Sequence, residues 1–287
     1  MYMAADSKDM ETRNQDRTSE SASLNRQVTV LVVEDDRSSQ VLVQRLLEKL
    51  GCAVLCVDDG EKALEAFQNA QKPLDLILMD CLLPRVSGYE ATRRIRNLEA
   101  GTGRRIPIIA MTAHTQSENI EQCRLAGMDD FLAKPVRRDI LQAVLSKHAS
   151  GESRIDSAAG NDNARGETRH PILDTAAALS IAENDLEILR DVIQFFLEDA
   201  PVDLEQLHAA LNAGALEDIR ARAHALKGAA TNLGGMRFRE TAYAIEMAAR
   251  AGELPETREL YPRLQSDFEA LKTALERTEW DQIRNAD

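Results

Sequence analysis

The strongest constraint on the fold is an alternation that runs through the first half of the chain. Short apolar runs, typical of buried strands, alternate with segments whose apolar residues repeat at helical spacing. The predicted strands cover residues 28–33, 53–57, 74–79, 106–111 and 130–133, and the predicted helices cover residues 38–50, 60–70, 88–98, 117–126 and 138–148. Because parallel strands need crossover connections, this alternation predicts an α/β domain with a doubly wound, five-stranded parallel sheet.

Polar side chains follow four of these predicted strands. Glu34 and Asp35 follow the first strand, and Asp80 follows the third. Thr112 follows the fourth strand and Lys134 the fifth. Ligands of open parallel sheets bind outside the carboxyl ends of the strands, so we expect these groups to meet at one edge. Neighbouring carboxylates repel one another unless a cation compensates them, and a divalent ion such as Mg2+ prefers oxygen ligands.

A set of motifs within residues 27–149 has the order and spacing of a known family. The motifs are Leu31-Val32-Val33-Glu34-Asp35, Met79-Asp80, Pro84, Gly88, Met111-Thr112-Ala113 and Lys134-Pro135. This region resembles the receiver domain of two-component response regulators, which implies a flavodoxin-like fold with Asp80 as the phosphoacceptor. The resemblance also implies Mg2+ held by Glu34, Asp35, Asp80 and the backbone carbonyl of Leu82. It further implies that Thr112 bonds a phosphoryl oxygen and that Lys134 neutralises phosphoryl charge. A cis peptide bond before Pro135 is in keeping with this family.

From residue 171 to residue 280 the pattern changes to long amphipathic segments without strand-like runs. The predicted helices cover residues 186–211, with a kink near Pro201, and residues 216–233, 238–251 and 256–277. Glycines separate them at Gly214, Gly234, Gly235 and Gly252. Short connections between amphipathic helices predict an all-α domain, an antiparallel four-helix bundle.

His224 stands out within the second of these helices. The predicted core stripe of that helix is Ile219, Ala223, Leu226 and Ala230. At about 100° per residue His224 lies roughly 120 to 130° from the middle of this stripe, so we expect it to face solvent. Lys227, one turn on, offers positive charge to a phosphoryl group. Gly228 costs about 1 kcal/mol relative to alanine in a helix, which suggests that it leaves room for an approaching partner.

The run His224-Ala225-Leu226-Lys227-Gly228, with Gly234 further along, resembles the signature of the histidine-containing phosphotransfer (HPt) domain. The resemblance implies that His224 carries a phosphoryl group, that Lys227 assists it and that Gly228 clears space beside it. Together the two resemblances imply a phosphorelay that passes a phosphoryl group between Asp80 and His224. The implied partners are an upstream sensor histidine kinase and a downstream response regulator receiver domain.

The remaining segments and the composition complete the prediction. Residues 1–26 are polar, without the apolar core of a secretory signal, and predict a disordered tail; residues 150–170 predict a flexible linker. No apolar run approaches the roughly 18 residues that span a bilayer, so we predict a cytoplasmic protein without a membrane partner. The net charge of -13 argues against direct DNA binding. The four cysteines lack the spacing of a zinc site or a disulfide framework.

Three alternatives stay open at this stage. The chain lacks the motifs of an ATP-binding kinase domain, and it could be the receiver–HPt portion of a hybrid sensor histidine kinase. It could also be a phosphorylation-gated adaptor without enzymatic activity of its own. A metal-dependent phosphatase would also use Asp80, but it would need a second acid two residues later, where Leu82 stands.

Overall fold

The computed structural model describes residues 27–70, 72–112, 117–148 and 171–284 of the 287-residue chain. The predicted tail and the predicted linker lie outside the described residues, as does Ala113 of the receiver motifs.

The first domain is the predicted five-stranded parallel sheet. Its strands are β1 (Thr29–Val33), β2 (Ala53–Val57), β3 (Leu76–Asp80), β4 (Ile108–Thr112) and β5 (Asp130–Ala133). Its helices are α1 (Arg37–Lys49), α2 (Gly60–Asn69), α3 (Gly88–Glu99), α4 (Ser117–Ala126) and α5 (Arg138–His148). The strand order is β2-β1-β3-β4-β5, and every pairing is parallel. The doubly wound parallel sheet predicted from the sequence is therefore confirmed.

Two strands begin two residues later than the sequence pattern predicts, and each extends one residue further. The β4 prediction began at residue 106, but Pro107 has no N–H to donate to a neighbouring strand. Before β3, the Asp75 carboxylate accepts a hydrogen bond of 2.8 Å from the backbone N–H of Thr29. Because each strand also ends one residue later than predicted, Asp80 and Thr112 are the last residues of β3 and β4 rather than the residues that follow them.

The second domain is a bundle of helices. Its long helices are α7 (Leu186–Ala213), α8 (Leu216–Asn232), α9 (Met236–Ala251) and α10 (Leu254–Arg277), and two short helices are α6 (Thr175–Ile181) and α11 (Trp280–Arg284). Pro201 lies inside α7, which continues through it. The rings of Phe196, Phe238 and Phe268 meet in the core with centroids 5.9 to 6.0 Å apart. The predicted bundle is confirmed, whereas the two short helices were not predicted.

Gly234 shows why the bundle needs glycine at one of its turns. Its φ is 66°, and a Cβ at this position would lie 2.2 Å from the backbone oxygen of Asp174. The Asp174 N–H donates a hydrogen bond of 2.8 Å to the Gly234 carbonyl. The α8–α9 turn therefore packs directly against the residue that caps α6, and no side chain fits between them.

The two domains contact each other through α1, which packs against α7 and α8. Buried apolar residues of the receiver face, including Leu42 and Leu46, belong to the same contiguous cluster as Phe196 of the bundle. This contact fixes the carboxyl edge of the sheet relative to the helix that carries His224. Among the helices in the described part of the chain, none is long and apolar enough to cross a membrane.

Candidate functional site

The acidic side chains at the carboxyl edge of the sheet come together as predicted. One carboxylate oxygen from each of Glu34, Asp35 and Asp80 lies within 4.8 Å of the others. Glu34 and Asp80 are buried. The backbone N–H of Glu34 donates 3.1 Å to the Val57 carbonyl, which continues the β1–β2 ladder into the cluster. The backbone N–H of Leu82 donates 3.0 Å to Asp80 Oδ1.

Lys134 joins this cluster from the end of β5. Its Nζ lies 2.6 Å from Glu34 Oε2 and 2.6 Å from Asp80 Oδ2. Its backbone N–H donates 2.8 Å to the carbonyl of Thr112, the buried last residue of β4. The Lys134–Pro135 peptide bond is cis. The four strand ends that the sequence pattern singled out therefore converge on one site.

The charges of this cluster are unequal. Burial raises the pKa of Glu34 well above its ordinary range. Burial, followed by the charge of Asp80, raises the pKa of Asp35 to about 7. Burial is the largest single effect on Asp80 and opposes its ionisation, but the charge of Lys134, together with the hydrogen bonds from Lys134 and from the Leu82 N–H, helps to give a net lowering of the Asp80 pKa. The single ammonium group of Lys134 thus compensates only part of the charge of three carboxylates. Closely spaced carboxylate oxygens of this kind are suitable ligands for a hard divalent cation such as Mg2+.

Gly88 controls the backbone next to Asp80. A Cβ on Gly88 would lie 1.9 Å from the backbone oxygen of Asp80. The Gly88 N–H donates 3.2 Å to the Cys81 carbonyl, and the Ser87 hydroxyl caps α3 by accepting from the Glu90 N–H. Only glycine allows the start of α3 to approach the end of β3 this closely.

The second site surrounds His224 on α8. Its Nδ1 lies 2.7 Å from Oε1 of Glu246, a residue of α9. Lys227 Nζ donates 2.7 Å to the other oxygen, Oε2, of the same carboxylate. Burial opposes ionisation of Glu246, yet the hydrogen bonds and charges of His224 and Lys227 lower its pKa to about 2.

These contacts determine which ring nitrogen of His224 holds the proton. An ionised carboxylate only accepts hydrogen bonds, so Nδ1 is the protonated nitrogen of the neutral imidazole. Lys227 Nζ also lies 3.3 Å from Nδ1, but an ammonium group cannot accept from Nδ1–H, and the shorter contact with Glu246 decides the tautomer. The lone pair of the neutral ring is therefore on Nε2.

The expectation that His224 faces solvent is wrong: only 8% of the residue is exposed. The predicted core stripe of α8 is correct, since Ile219, Ala223, Leu226 and Ala230 are all buried. α8 is covered on more than the one face that its apolar stripe marks, because α7, α9 and α1 of the receiver all pack against it. Lys227 is buried at 7% exposure for the same reason.

The space beside Gly228 is open among the residues that the structure describes. A Cβ at this position would meet no atom within 4 Å. The described arrangement therefore gives no steric reason for glycine here, and its function in clearing space stays a prediction.

The two sites lie on elements that meet at the domain contact, since α1 packs against α8 and the Asn232 side chain donates 2.8 Å to the Ser39 hydroxyl. A protonated His224 ring contributes to lowering the Asp80 pKa. Burial is the main cause of the lowered pKa of Lys227, and the charge of Lys134 contributes to it. Charged groups of the sheet edge and of the bundle are thus close enough to influence one another's ionisation.

Sequence reasoning missed Glu246. A signal was available, because Glu246 interrupts the apolar stripe of α9, which is formed by Phe238, Ala242, Ile245 and Ala249. A charged residue next to such a stripe is seldom buried without a partner. Its partners lie on another helix at positions that spacing within α9 cannot reveal.

Two family models match the chain in the order that the sites suggest. The response regulator receiver domain matches residues 30–146, and the Hpt domain matches residues 191–277.

The curated relatives are sensor proteins. The virulence sensor protein BvgS of Bordetella parapertussis is 31% identical over 86% of this chain, which covers 20% of BvgS. The sensor histidine kinase GacS of Pseudomonas protegens is 32% identical over 70% of this chain, which covers 22% of GacS. The sensory/regulatory protein RpfC of Xanthomonas campestris is 31% identical over 80% of this chain, which covers 30% of RpfC. The chain thus spans less than a third of the length of these relatives.

Among solved structures, the chain is similar to the receiver domain of the sensor histidine kinase PA1611 of Pseudomonas aeruginosa, crystallised with a magnesium ion in its active-site cleft. The identity is 40%, the match covers 44% of this chain and 100% of that chain, and the TM-score is 0.40. The two family models match the chain in the same order as the two groups of predicted site residues. The chain therefore belongs to the two-component phosphorelay proteins and joins a response regulator receiver domain to an Hpt domain.

Proposed function

We propose that this chain passes a phosphoryl group between Asp80 and His224 and exchanges it with partner proteins. The proposal depends on the two sites lying on elements that meet at the domain contact. Asp80 and His224 are both buried, and Asn232, at the end of the helix that carries His224, donates a hydrogen bond of 2.8 Å across the domain contact to Ser39, which follows Glu34 and Asp35 closely along the chain. A relay needs its two acceptors to approach each other in a site that excludes water, and this arrangement supports that requirement.

In the receiver domain, the Asp80 carboxylate is the proposed nucleophile toward an incoming phosphoryl group. Lys134, already paired with Asp80, would neutralise a phosphoryl oxygen, and the Thr112 hydroxyl would bond another. Glu34, Asp35, Asp80 and the backbone carbonyl of Leu82 are the proposed ligands of Mg2+. When bound, the metal supplies positive charge that offsets the negative charge of the transferring group.

In the HPt domain, His224 Nε2 is the proposed nucleophile. Its lone pair would form a bond to the phosphorus of the Asp80 acyl phosphate, while the bond from phosphorus to the Asp80 oxygen breaks and returns a carboxylate. The Glu246 carboxylate fixes the ring through Nδ1 and stabilises the positive charge that the ring gains. Lys227 would neutralise charge on the phosphoryl group, and Gly228 would leave space beside it. Run in reverse, the same step returns the group to Asp80.

The partners follow from this chemistry. An upstream sensor histidine kinase would supply the phosphoryl group, and the receiver domain of a downstream response regulator would accept it from His224. Direct DNA binding is not part of the proposal. The cytoplasmic location stays a prediction from the sequence.

The test is to charge the full chain with acetyl phosphate in the presence of Mg2+ and to locate the label by mass spectrometry. We compare the unaltered chain with Asp80→Ala and His224→Ala. Label on His224 that disappears in Asp80→Ala would support the relay from aspartate to histidine. A chain that charges on Asp80 and never labels His224, with either acetyl phosphate or a phosphorylated partner, would contradict it.

A second candidate is that the same two domains belong to a hybrid sensor histidine kinase. The lengths of the relatives favour it, because the chain covers only 20 to 30% of BvgS, GacS and RpfC. An antibody against the HPt domain distinguishes the two cases. A native polypeptide of the size of this chain supports a stand-alone relay protein, and a much larger one supports the hybrid kinase.

A further inference from the structure

The contact between the domains contains an ordered row of ion pairs. Arg37 Nη1 lies 3.0 Å from Asp199 Oδ1, and Arg45 Nη2 lies 2.9 Å from Asp191 Oδ2. Lys49 pairs with Asp185. The residue numbers increase from Arg37 to Lys49 along α1, while those of their partners decrease from Asp199 to Asp185 along α7. The two helices therefore run antiparallel. We name these three pairs the α1–α7 ladder.

Further contacts flank the ladder. The Arg37 guanidinium lies 4.4 Å from the ring centroid of Phe195, a distance at which a cation–π attraction operates. Arg138 of α5 lies 3.5 Å from Glu183, just before α7. The basic residues are all on the receiver and their partners are all on the bundle, so the ladder has a single polarity.

The two acceptor sites do not share this single polarity. There the receiver supplies Lys134 as well as the carboxylates of Glu34 and Asp80, and the bundle supplies Glu246 as well as Lys227. The arrangement with one sign of charge on each domain is therefore a property of the ladder. Complementary charged surfaces fix the orientation of two partners and exclude wrong partners more than they raise affinity.

We propose that the α1–α7 ladder determines which receiver docks over His224. Resting on the relay proposed above, this inference names the chemistry of the docking partner: a receiver whose first helix carries basic side chains at the positions of Arg37, Arg45 and Lys49. The chain's own receiver meets this requirement and packs against α8, the helix that carries the buried His224. A receiver from another protein must present the same basic row and displace it.

The exposure of the ladder sets the size of the expected effect. The side chains of Arg45 and Asp191 are 52% and 34% exposed. Exposed pairs are individually weak and are screened by salt, so reversing one charge should change transfer by roughly threefold. Whether the transfer rate rises or falls in matched donor and acceptor variants therefore tests the proposal better than the size of the rate change.

The experiment uses two full chains that differ in which acceptor they keep. The donor carries His224→Gln and also Asp191→Ala, so that position 45 has no Asp191 partner in the donor's own bundle, and it is charged on Asp80 with acetyl phosphate, which is then removed. The acceptor carries Asp80→Ala, and the label on its His224 is followed over time. Arg45→Glu in the donor should slow transfer, because its first helix then repels α7. The same change in the acceptor should accelerate transfer, because the acceptor's own receiver leaves His224.

The charge-swapped combination gives the sharpest result. A donor with Arg45→Glu and an acceptor with Asp191→Arg restore the ion pair between chains while the acceptor's own receiver is repelled. This combination should transfer several-fold faster than the pair with neither change. The matched control is Arg94→Glu, which reverses an arginine of similar exposure that pairs with Glu61 within the receiver, and it should leave transfer within about twofold.

A second readout separates this inference from the relay itself. Carbethoxylation of His224 by diethyl pyrocarbonate reports its exposure without any phosphoryl transfer, and Arg45→Glu should increase it over the Arg94→Glu control. If no combination labels His224 but carbethoxylation increases, the proposed relay fails and the ladder stands. If the charge-swapped pair and the carbethoxylation rate both match the control, the ladder is overturned.

Discussion

The side-chain amide of Asn232 donates a hydrogen bond of 2.8 Å to the hydroxyl of Ser39, and this bond joins the two domains inside a buried contact. Asn232 is the last residue of α8, the helix that carries His224. Ser39 lies in the first turn of α1, where its N–H donates to the capping carboxylate of Asp36. The bond therefore connects the helix that carries His224 to the segment that directly follows Glu34 and Asp35.

We predict that Asn232 and Ser39 are energetically coupled. Asn232→Ala leaves a buried hydroxyl without its partner, so it should lower the free energy of unfolding by about 1 to 3 kcal/mol. The double variant with Ser39→Ala should cost about 1 kcal/mol less than the sum of the single changes. Urea denaturation of the four chains measures this coupling. Thr231→Ala, whose hydroxyl bonds within α8, is the control and should add to Ser39→Ala without coupling.

We predict that Glu246→Gln slows phosphoryl transfer, lowers stability at neutral pH and makes stability less dependent on pH in acid. The amide removes the negative charge that supports a protonated ring, so the rate at which His224 accepts the group should fall roughly tenfold. The folded pKa of Glu246, about 2, lies below its ordinary 4.5, so the carboxylate stabilises the fold above pH 4.5 and loses that effect as pH falls toward 2. The shift corresponds to about 3 kcal/mol. Unfolding measured between pH 5 and 2 should therefore be less pH-dependent in the variant, and an unchanged slope would contradict this.

We predict that Gly88→Ala disables the receiver. The added methyl would lie 1.9 Å from the Asp80 backbone oxygen, so β3 or α3 must shift. A displacement of this size should cost more than about 2 kcal/mol of stability and abolish charging of Asp80. Thermal denaturation and acetyl phosphate labelling check the two parts. Retained labelling at the original rate would show that the loop adapts without moving Asp80.

We predict the opposite stability effect for Gly228→Ala. A methyl group there meets no atom within 4 Å, and alanine is favoured over glycine inside a helix by about 1 kcal/mol. The variant should therefore unfold at a higher urea concentration than the unaltered chain. If Gly228 clears space for the phosphoryl group or an incoming receiver, the same variant should accept phosphate more slowly despite its higher stability. Equal transfer rates would remove that role.

We predict that Mg2+ stabilises the chain through the acidic cluster. A ligand at 100 times its dissociation constant adds about 2.7 kcal/mol to the stability of the state that binds it. Thermal unfolding should shift upward with Mg2+, and chelation should reverse the shift. Asp35→Asn should remove most of this response. Glu65→Gln, an exposed acid of α2, should leave it unchanged.

Much of the receiver was predictable because its determinants are local or follow from the geometry of parallel sheets. The apolar runs and helical repeats specified all five strands and all five helices of that domain to within about two residues at either end. Because parallel strands have their carboxyl ends at one edge of the sheet, the sequence was enough to predict that five residues lie close together: Glu34, Asp35, Asp80, Thr112 and Lys134. The short helices α6 and α11 escaped prediction because segments of this length carry too little periodic signal.

The sequence by itself determined the two domains, their order and the residues that can carry phosphoryl chemistry, because each depends on periodicity within an element or on motif spacing. The tertiary structure decided what surrounds His224: the Glu246 carboxylate that selects its tautomer, and the receiver that packs against its helix. These contacts join α9 to α8 and α1 to α7 over long separations along the chain. Spacing within one helix specifies which face is apolar, but it cannot specify which other element covers the rest of that helix.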